Sequence, residues 1–174
     1  YFFNNISSGG EQFSVDEVIN AADIANAHEF IVRQPDGYDS VLGERGVGLS
    51  GGERQRISIA RALMKDANIL ILDDAVSAVD LRTEKAILEN LRRIRKGKTT
   101  ILIAHRISTV EGMDKIIFLD DGRVSAVGTH KELLETCPDY RTMVELQQVQ
   151  GAISERESRE PRRGRRNREE VEGH

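Results

Sequence analysis

The sequence predicts an α/β fold: a buried, mainly parallel sheet flanked by helices, with an antiparallel hairpin and further helices toward the C-terminal end. Three stretches carry that expectation. Ile69, Leu70, Ile71 and Leu72 form a short apolar run behind a helical pattern and ahead of Asp73 and Asp74, as in a strand buried on both faces of a parallel sheet. A second apolar run over residues 99–104 follows another helical pattern, so helix and strand alternate. Residues 115–119 and 123–127 are apolar runs joined by Asp121 and Gly122, and an Asp-Gly pair in that place is a hairpin signal.

In chain order, residues 1–13 are polar and glycine-containing after Tyr1, Phe2 and Phe3, and no element is read there. Ser14 and Glu17 have the spacing of a capping box, ahead of Val18, Ile19, Ala22 and Ala25 at helical intervals, which predicts a helix over about 15–28. His28 then falls near its end, where a cation meets the negative end of the helix dipole. Pro35, Gly37, Gly43, Gly46 and Gly48 break residues 34–48 into loops.

Ser50, Gly51 and Gly52 open a helix expected over about 52–65, burying Ile57, Ala60, Leu63 and Met64 and exposing Arg54 and Arg56. The first turn of a helix has unpaired N–H groups and the positive dipole end, and two glycines let that backbone approach a ligand closely, so a phosphate fits there. The strand that follows delivers Asp73 and Asp74 to its carboxyl end, where open α/β sheets place their ligands. Asp80 can cap a helix containing Ile87, Leu88, Leu91 and Ile94, which Gly97 ends. After the hairpin, Thr129 and Glu132 form a second capping box for a short helix stopping before Pro138, and a last helix covers about 139–148. From Gly151 on, seven arginines and six glutamates replace the apolar pattern, predicting a disordered charged tail over 151–174.

Gly97, Lys98, Thr99 and Thr100 spell the end of a P-loop, but the position five before Gly97 is Arg92, not glycine. The context is also reversed: a P-loop leads from strand to helix, whereas here a helix leads into a strand. A Walker A lysine is therefore not read from this stretch.

The segment from Leu49 to Asp80 resembles the second half of an ABC-type nucleotide-binding domain. Leu49 to Glu53 resembles its signature motif, Ile69 to Asp74 its Walker B strand and Ser77 to Asp80 its D-loop, and His105 matches its switch histidine. The resemblance spans roughly residues 4–148 and implies an incomplete P-loop NTPase fold, with a helical signature subdomain over about 10–65 and a core over 66–150. Asn4, Asn5 and Ile6 resemble the end of the segment after the family's Q-loop. The stretch from Ser40 to Gly46 resembles the acidic motif that exporters set against their transmembrane coupling helices. In the family two such domains pair head to tail around two ATP molecules. The resemblance implies that Ser50, Gly51 and Gly52, with Glu53 in the motif's fifth place, hold the γ-phosphate of ATP bound mainly by the partner. It implies that Asp73 positions Mg²⁺, that His105 senses the γ-phosphate and that Asp80 links the two sites.

Asp74 departs from the pattern, because active members carry glutamate there. Aspartate withdraws the carboxylate by roughly 1 to 1.5 Å, and misplacement on that scale can cost about a hundredfold in rate. The chain thus resembles the degenerate half of a heterodimeric exporter, whose signature completes the competent site. A homodimeric exporter with a working Asp74, a chromosome-maintenance or DNA-repair head and a regulatory module that only binds nucleotide stay open as alternatives. Against the DNA-repair head, no heptad coiled coil precedes the signature.

Composition narrows the partners. A formal net charge of −4 without a broad basic stripe disfavours nucleic acid. The single cysteine, Cys137, fits a reducing compartment, and no apolar stretch approaches a membrane span. The chain begins at Tyr1 without methionine and is expected to belong to a longer polypeptide. There a transmembrane domain upstream would contact a small-molecule or peptide substrate, with this part at the cytoplasmic face of the membrane.

Overall fold

The computed structural model describes residues 1–8, 13–42 and 48–159. Two sequence expectations are affected: Gly43 to Gly46 of the acidic motif and residues 160–174 of the charged tail lie outside the described residues. The chain forms two compact units, one over Tyr1–Gly112 and one from Met113 on.

The first unit begins with α1, Phe2–Ser7, where no element was expected. Phe2 and Ile6 lie one turn apart and are both buried, so this turn is held by its apolar face. Helix α2, Val15–Ile24, starts at the predicted capping box, with Ser14 Oγ accepting from the Glu17 amide at 3.2 Å and Glu17 accepting from the Ser14 amide at 2.8 Å. It does not run to His28. Asn26 turns left-handed at φ 55° and a separate α3 spans His28–Val32. Asparagine tolerates that conformation better than most residues. His28 therefore sits at a helix start, not a helix end, and its Nδ1 is 3.0 Å from Tyr38 Oη. A 3₁₀ turn at Gly37–Asp39 follows.

Helix α4, Gly51–Leu63, buries Ile57, Ile59 and Ala60. Arg56 is not on the exposed face as expected. Its guanidinium lies 4.7 Å from the Phe30 ring centre and donates to Asn26 O at 2.7 Å, closing the α2–α3 turn against α4. Arg61 on the same helix donates to both the carbonyl and the side chain of Asn5, fastening α1.

Strand β1, Ile69–Asp73, pairs in parallel with β2, Thr99–Ile103, in the register Ile69 to Thr99 through Asp73 to Ile103. Between them α5, Leu81–Ile94, is capped by Asp80 as predicted, with Asp80 Oδ1 accepting from the Thr83 amide at 3.0 Å. Gly97 follows at φ 80°, and Lys98 pairs with Asp66, so the false P-loop is a helix-to-strand turn. Arg95 ties α5 to the strand starts, donating to Thr100 Oγ1, Ala67 O and Thr99 O. Burial on β1 alternates. Leu70 and Leu72 join the core with Val18, Ile57 and Ile87, while Ile69 and Ile71 are 60% and 61% exposed. Full burial on both faces was expected, but the described residues cover only one side of this strand pair. Helix α6, Ile107–Val110, completes the unit.

In the second unit β3, Ile116–Asp120, and β4, Arg123–Gly128, form the predicted hairpin. Asp121 and Gly122 both have positive φ, 45° and 72°, as a two-residue turn between twisted strands requires. Helix α7, His130–Thr136, opens at its predicted capping box, and Tyr140 buries its ring against Phe118 and His130. Helix α8 spans Pro138–Arg159, about a further ten residues beyond its expected end.

Candidate nucleotide site

Two places in the first unit gather the residues singled out from sequence, and one turn touches both. At the carboxyl ends of β1 and β2, Asp74, Val76, Ser77, Ala104, His105, Arg106 and Thr109 line a cavity of about 200 Å³. Parallel pairing produces this convergence: because Asp73 is in register with Ile103, the segments leaving both strands emerge side by side. Asp74 donates its amide to Ile103 O at 3.0 Å and adopts φ 50°. Left-handed backbone costs aspartate less than most side chains. Asp73 and His105 are both exposed. Asp73 ends the strand beside the cavity without lining it.

The second place is the mouth of α4. Ser50 is its N-cap: Ser50 Oγ accepts from the Glu53 amide at 3.2 Å, and Glu53 accepts from the Ser50 amide at 2.8 Å. Glu53 is therefore part of a capping box, a role visible in the S-x-x-E spacing but not read there. The box engages the amides of Ser50 and Glu53 and leaves the hydroxyl proton of Ser50 to donate elsewhere. Gly52 has a tighter reason to be glycine than ligand approach alone. A Cβ built there would lie 2.8 Å from Ala78 O.

The turn between the two is Ser77 to Asp80. Gln55, which sequence reading passed over, fastens it. The Gln55 amide nitrogen donates to Asp74 O and Ser77 Oγ, each at 2.9 Å, and its oxygen accepts from the Ala78 amide at 2.9 Å. From the other side, Arg106 donates to Glu84 at 2.8 Å, to Val79 O at 3.2 Å and to Ser77 O. Asp80 closes the turn as the α5 cap, and the hydrogen bonds from Thr83 hold its carboxyl below the usual range. Burial lowers the Arg56 guanidinium, with Glu53, Asp80 and Glu29 opposing that shift. Of the expected site residues, Asp74 and His105 share a cavity, Ser50, Gly51, Gly52 and Glu53 share a helix mouth, and Asp80 joins the two through its turn. No signal in the sequence marks Gln55, Glu84 or Arg106, since their partners are brought together only by the fold.

Among the described residues no group of three or more His, Cys, Asp or Glu side chains is placed to hold a metal alone, and no helix is long and apolar enough to cross a membrane. A model of the ABC transporter family matches residues 3–77. The ATP-dependent lipid A-core flippase of Syntrophus aciditrophicus (strain SB) is 49% identical over 152 residues, which is 87% of this chain and 25% of the relative. An uncharacterized ABC transporter ATP-binding protein, YknU, of Bacillus subtilis (strain 168) is 51% identical over 144 residues, 83% of this chain and 25% of that protein. The solved structure of a bacterial Atm1-family ABC exporter with ATP bound superposes with a TM-score of 0.80 at 46% identity, covering 84% of this chain and 26% of that one. The chain thus spans about a quarter of the length of these relatives. With its α/β arrangement in place and these likenesses over more than four-fifths of its length, the chain belongs to the ABC transporter family.

Proposed function

We propose that residues 1–150 are the C-terminal part of a nucleotide-binding domain that couples ATP binding and hydrolysis to export, and that this chain serves two nucleotides at once. One observation carries the reading: the turn Ser77 to Asp80 contributes to the cavity of Asp74 and His105 and also abuts Gly52 at the mouth of α4. At about 200 Å³ the cavity is below the roughly 300 to 1,000 Å³ typical of a ligand pocket, so this chain supplies only part of each wall. The rest would come from a second nucleotide-binding domain and from the Walker A segment of the complete polypeptide.

The donor chemistry fits Mg²⁺ and ATP. Asp73 and Asp74 bring two carboxylates to one strand end, and Mg²⁺ characteristically takes one or two carboxylates while keeping several waters. Bound there, the cation would neutralise phosphate charge. Asp73 would hold it through water, His105 would hydrogen-bond the γ-phosphate and the Asp74 carboxylate would orient the attacking water. On a second nucleotide, the N–H groups of Gly51 and Gly52 and the Ser50 hydroxyl would donate to the γ-phosphate. A transmembrane domain in the same polypeptide would receive the resulting motion, with the substrate, a small molecule or peptide, contacted there.

The shorter carboxylate of Asp74 favours a slow site of its own, in a heterodimer whose competent site this signature completes. In the full-length assembly Asp74→Glu is expected to speed hydrolysis at this chain's own site by about ten- to a hundredfold and thereby to raise the turnover of the whole. An unchanged rate would remove this position from the rate-limiting step. A working Asp74 in a homodimer is the second reading, favoured by His105 lining the same cavity. On that reading Asp74→Asn abolishes turnover, and on the first it leaves the partner's competent site running.

A further inference from the structure

We infer that Glu84 and Arg106 form a positioning pair that holds the turn Ser77 to Asp80 and the residue His105 in one fixed relation. This rests on the roles proposed above for that turn and for His105. Glu84 lies one turn into α5, behind the Asp80 cap, and only 1% of it is exposed. A buried carboxylate is costly unless its oxygens are paired. Both are paired here: Oε2 accepts from Arg106 Nη1 at 2.8 Å, and Oε1 accepts from the hydroxyl of Thr109, itself buried.

Arg106 immediately follows His105 and is half-buried. Its planar fork aims Nη1 at Glu84 and at Val79 O, and Nη2 at Ser77 O. An ammonium could not reach all three in one plane. Two backbone carbonyls of the turn are thus read by the residue next to His105, and the guanidinium that reads them is anchored by a carboxylate on the helix that the turn leads into. The loop closes on itself: turn, α5, Glu84, Arg106, turn. Any displacement of Ser77 or Val79 must move Arg106, and with it the backbone that carries His105. Glu84 does not line the cavity; Arg106 does, but its Nη1 and Nη2 are engaged by Glu84, Val79 O and Ser77 O, so both are positioning residues that act through the turn and His105.

The test uses the complete transporter. Glu84→Gln keeps the side-chain shape but removes the charge that orients Arg106. It is expected to lower kcat about tenfold while the KM for ATP stays within about twofold, the pattern of an interaction felt only in the transition state. Hydrogen exchange of the peptide covering residues 76–80 is expected to quicken in the same variant, with that of residues 15–32 unchanged. Because the two residues act as a unit, Glu84→Gln with Arg106→Gln should cost no more than Arg106→Gln alone. If Glu84→Gln does not fold, Thr109→Val removes one of the anchoring hydrogen bonds and should show the same exchange change. Wild-type kcat with unaltered exchange at 76–80, or additive losses in the double variant, overturns the inference. His105→Ala is the control for the underlying reading. If it changes neither ATP turnover nor the ATP affinity of this chain's own site, the reading of His105 has failed, and the exchange result alone decides whether Glu84 and Arg106 hold the turn.

Discussion

At Gly52 a single methyl group has nowhere to go. A Cβ would meet the backbone oxygen of Ala78 at 2.8 Å, closer than real contacts allow, and neither partner is a flexible side chain. Gly52→Ala is therefore expected to destabilise the protein by about 1 to 3 kcal/mol, the usual range for overpacking, and to push the turn Ser77 to Asp80 away from α4. Thermal unfolding measures the first effect and loss of ATP turnover the second. Gln55 is the polar counterpart. Gln55→Ala strips the Ala78 amide, Asp74 O and Ser77 Oγ of a shared partner and is expected to cost about 0.5 to 1.5 kcal/mol, because water can reach two of the three bonds. The placement of Asp73, Asp74 and His105 at the strand ends was legible because each stands next to an apolar run, a local signal. Gln55, Glu84 and Arg106 were not, because each is defined by partners 19 to 29 residues away along the chain.

Among the elements, three helices begin at the caps their sequences marked, whereas α1, α3 and α6 were not expected. Ser14 with Glu17, Thr129 with Glu132, and Asp80 with Thr83 all make the expected cap hydrogen bonds. In each the receiving carboxyl is held below its ordinary value by the cap amide and hydroxyl. A carboxyl lowered on folding stabilises the native state fully above its unfolded value, and loses that contribution as pH falls through the folded one. The acid limb should therefore begin near pH 4.5 for the glutamates and near 3.8 for Asp80. In Glu17→Gln with Glu132→Gln, the thermal midpoint of the complete protein should depend less on pH below about 4.5, as calorimetry across that range would register.

Helix ends were harder to read. The break at Asn26 rests on one left-handed residue, and nothing in the apolar spacing interrupts there. Asn26→Gly is expected to leave stability nearly unchanged, and Asn26→Val to cost about 1 to 2 kcal/mol, with chemical denaturation separating the two. The extension of α8 to Arg159 runs through Gln150, Ala152 and alternating Glu and Arg, which favour helix, but also through Gly151, Ser154 and Ser158, which do not. Val149 and Ile153 are too few to make an apolar stripe that periodicity could detect.

On the scale of the whole molecule, the β1–β2 pair presents Ile69 and Ile71 alongside Ile101 and Ile103, four exposed isoleucines on one face of two hydrogen-bonded strands. The register puts Ile71 opposite Ile101, so the four are contiguous. Such a patch marks an interaction surface or an aggregation liability. Produced alone, the chain should bind a hydrophobic dye and associate with increasing concentration, and Ile71→Lys should suppress both. In the complete polypeptide the same substitution should destabilise, if further strands or helices bury this face. The parallel pairing itself was legible, since two apolar runs separated by a helix have few other ways to meet. The bare face was not, because an isoleucine looks the same in a sequence whether or not something covers it.

The three hydrogen bonds of Gln55 carry a consequence for timing. On the proposed reading, a helix that grips another subunit's cargo could not shift without dragging the bend beside its own acids, so the two pockets of an assembled pair would be geared together, not free-running. Cutting that gear should leave both able to fill yet unable to take turns.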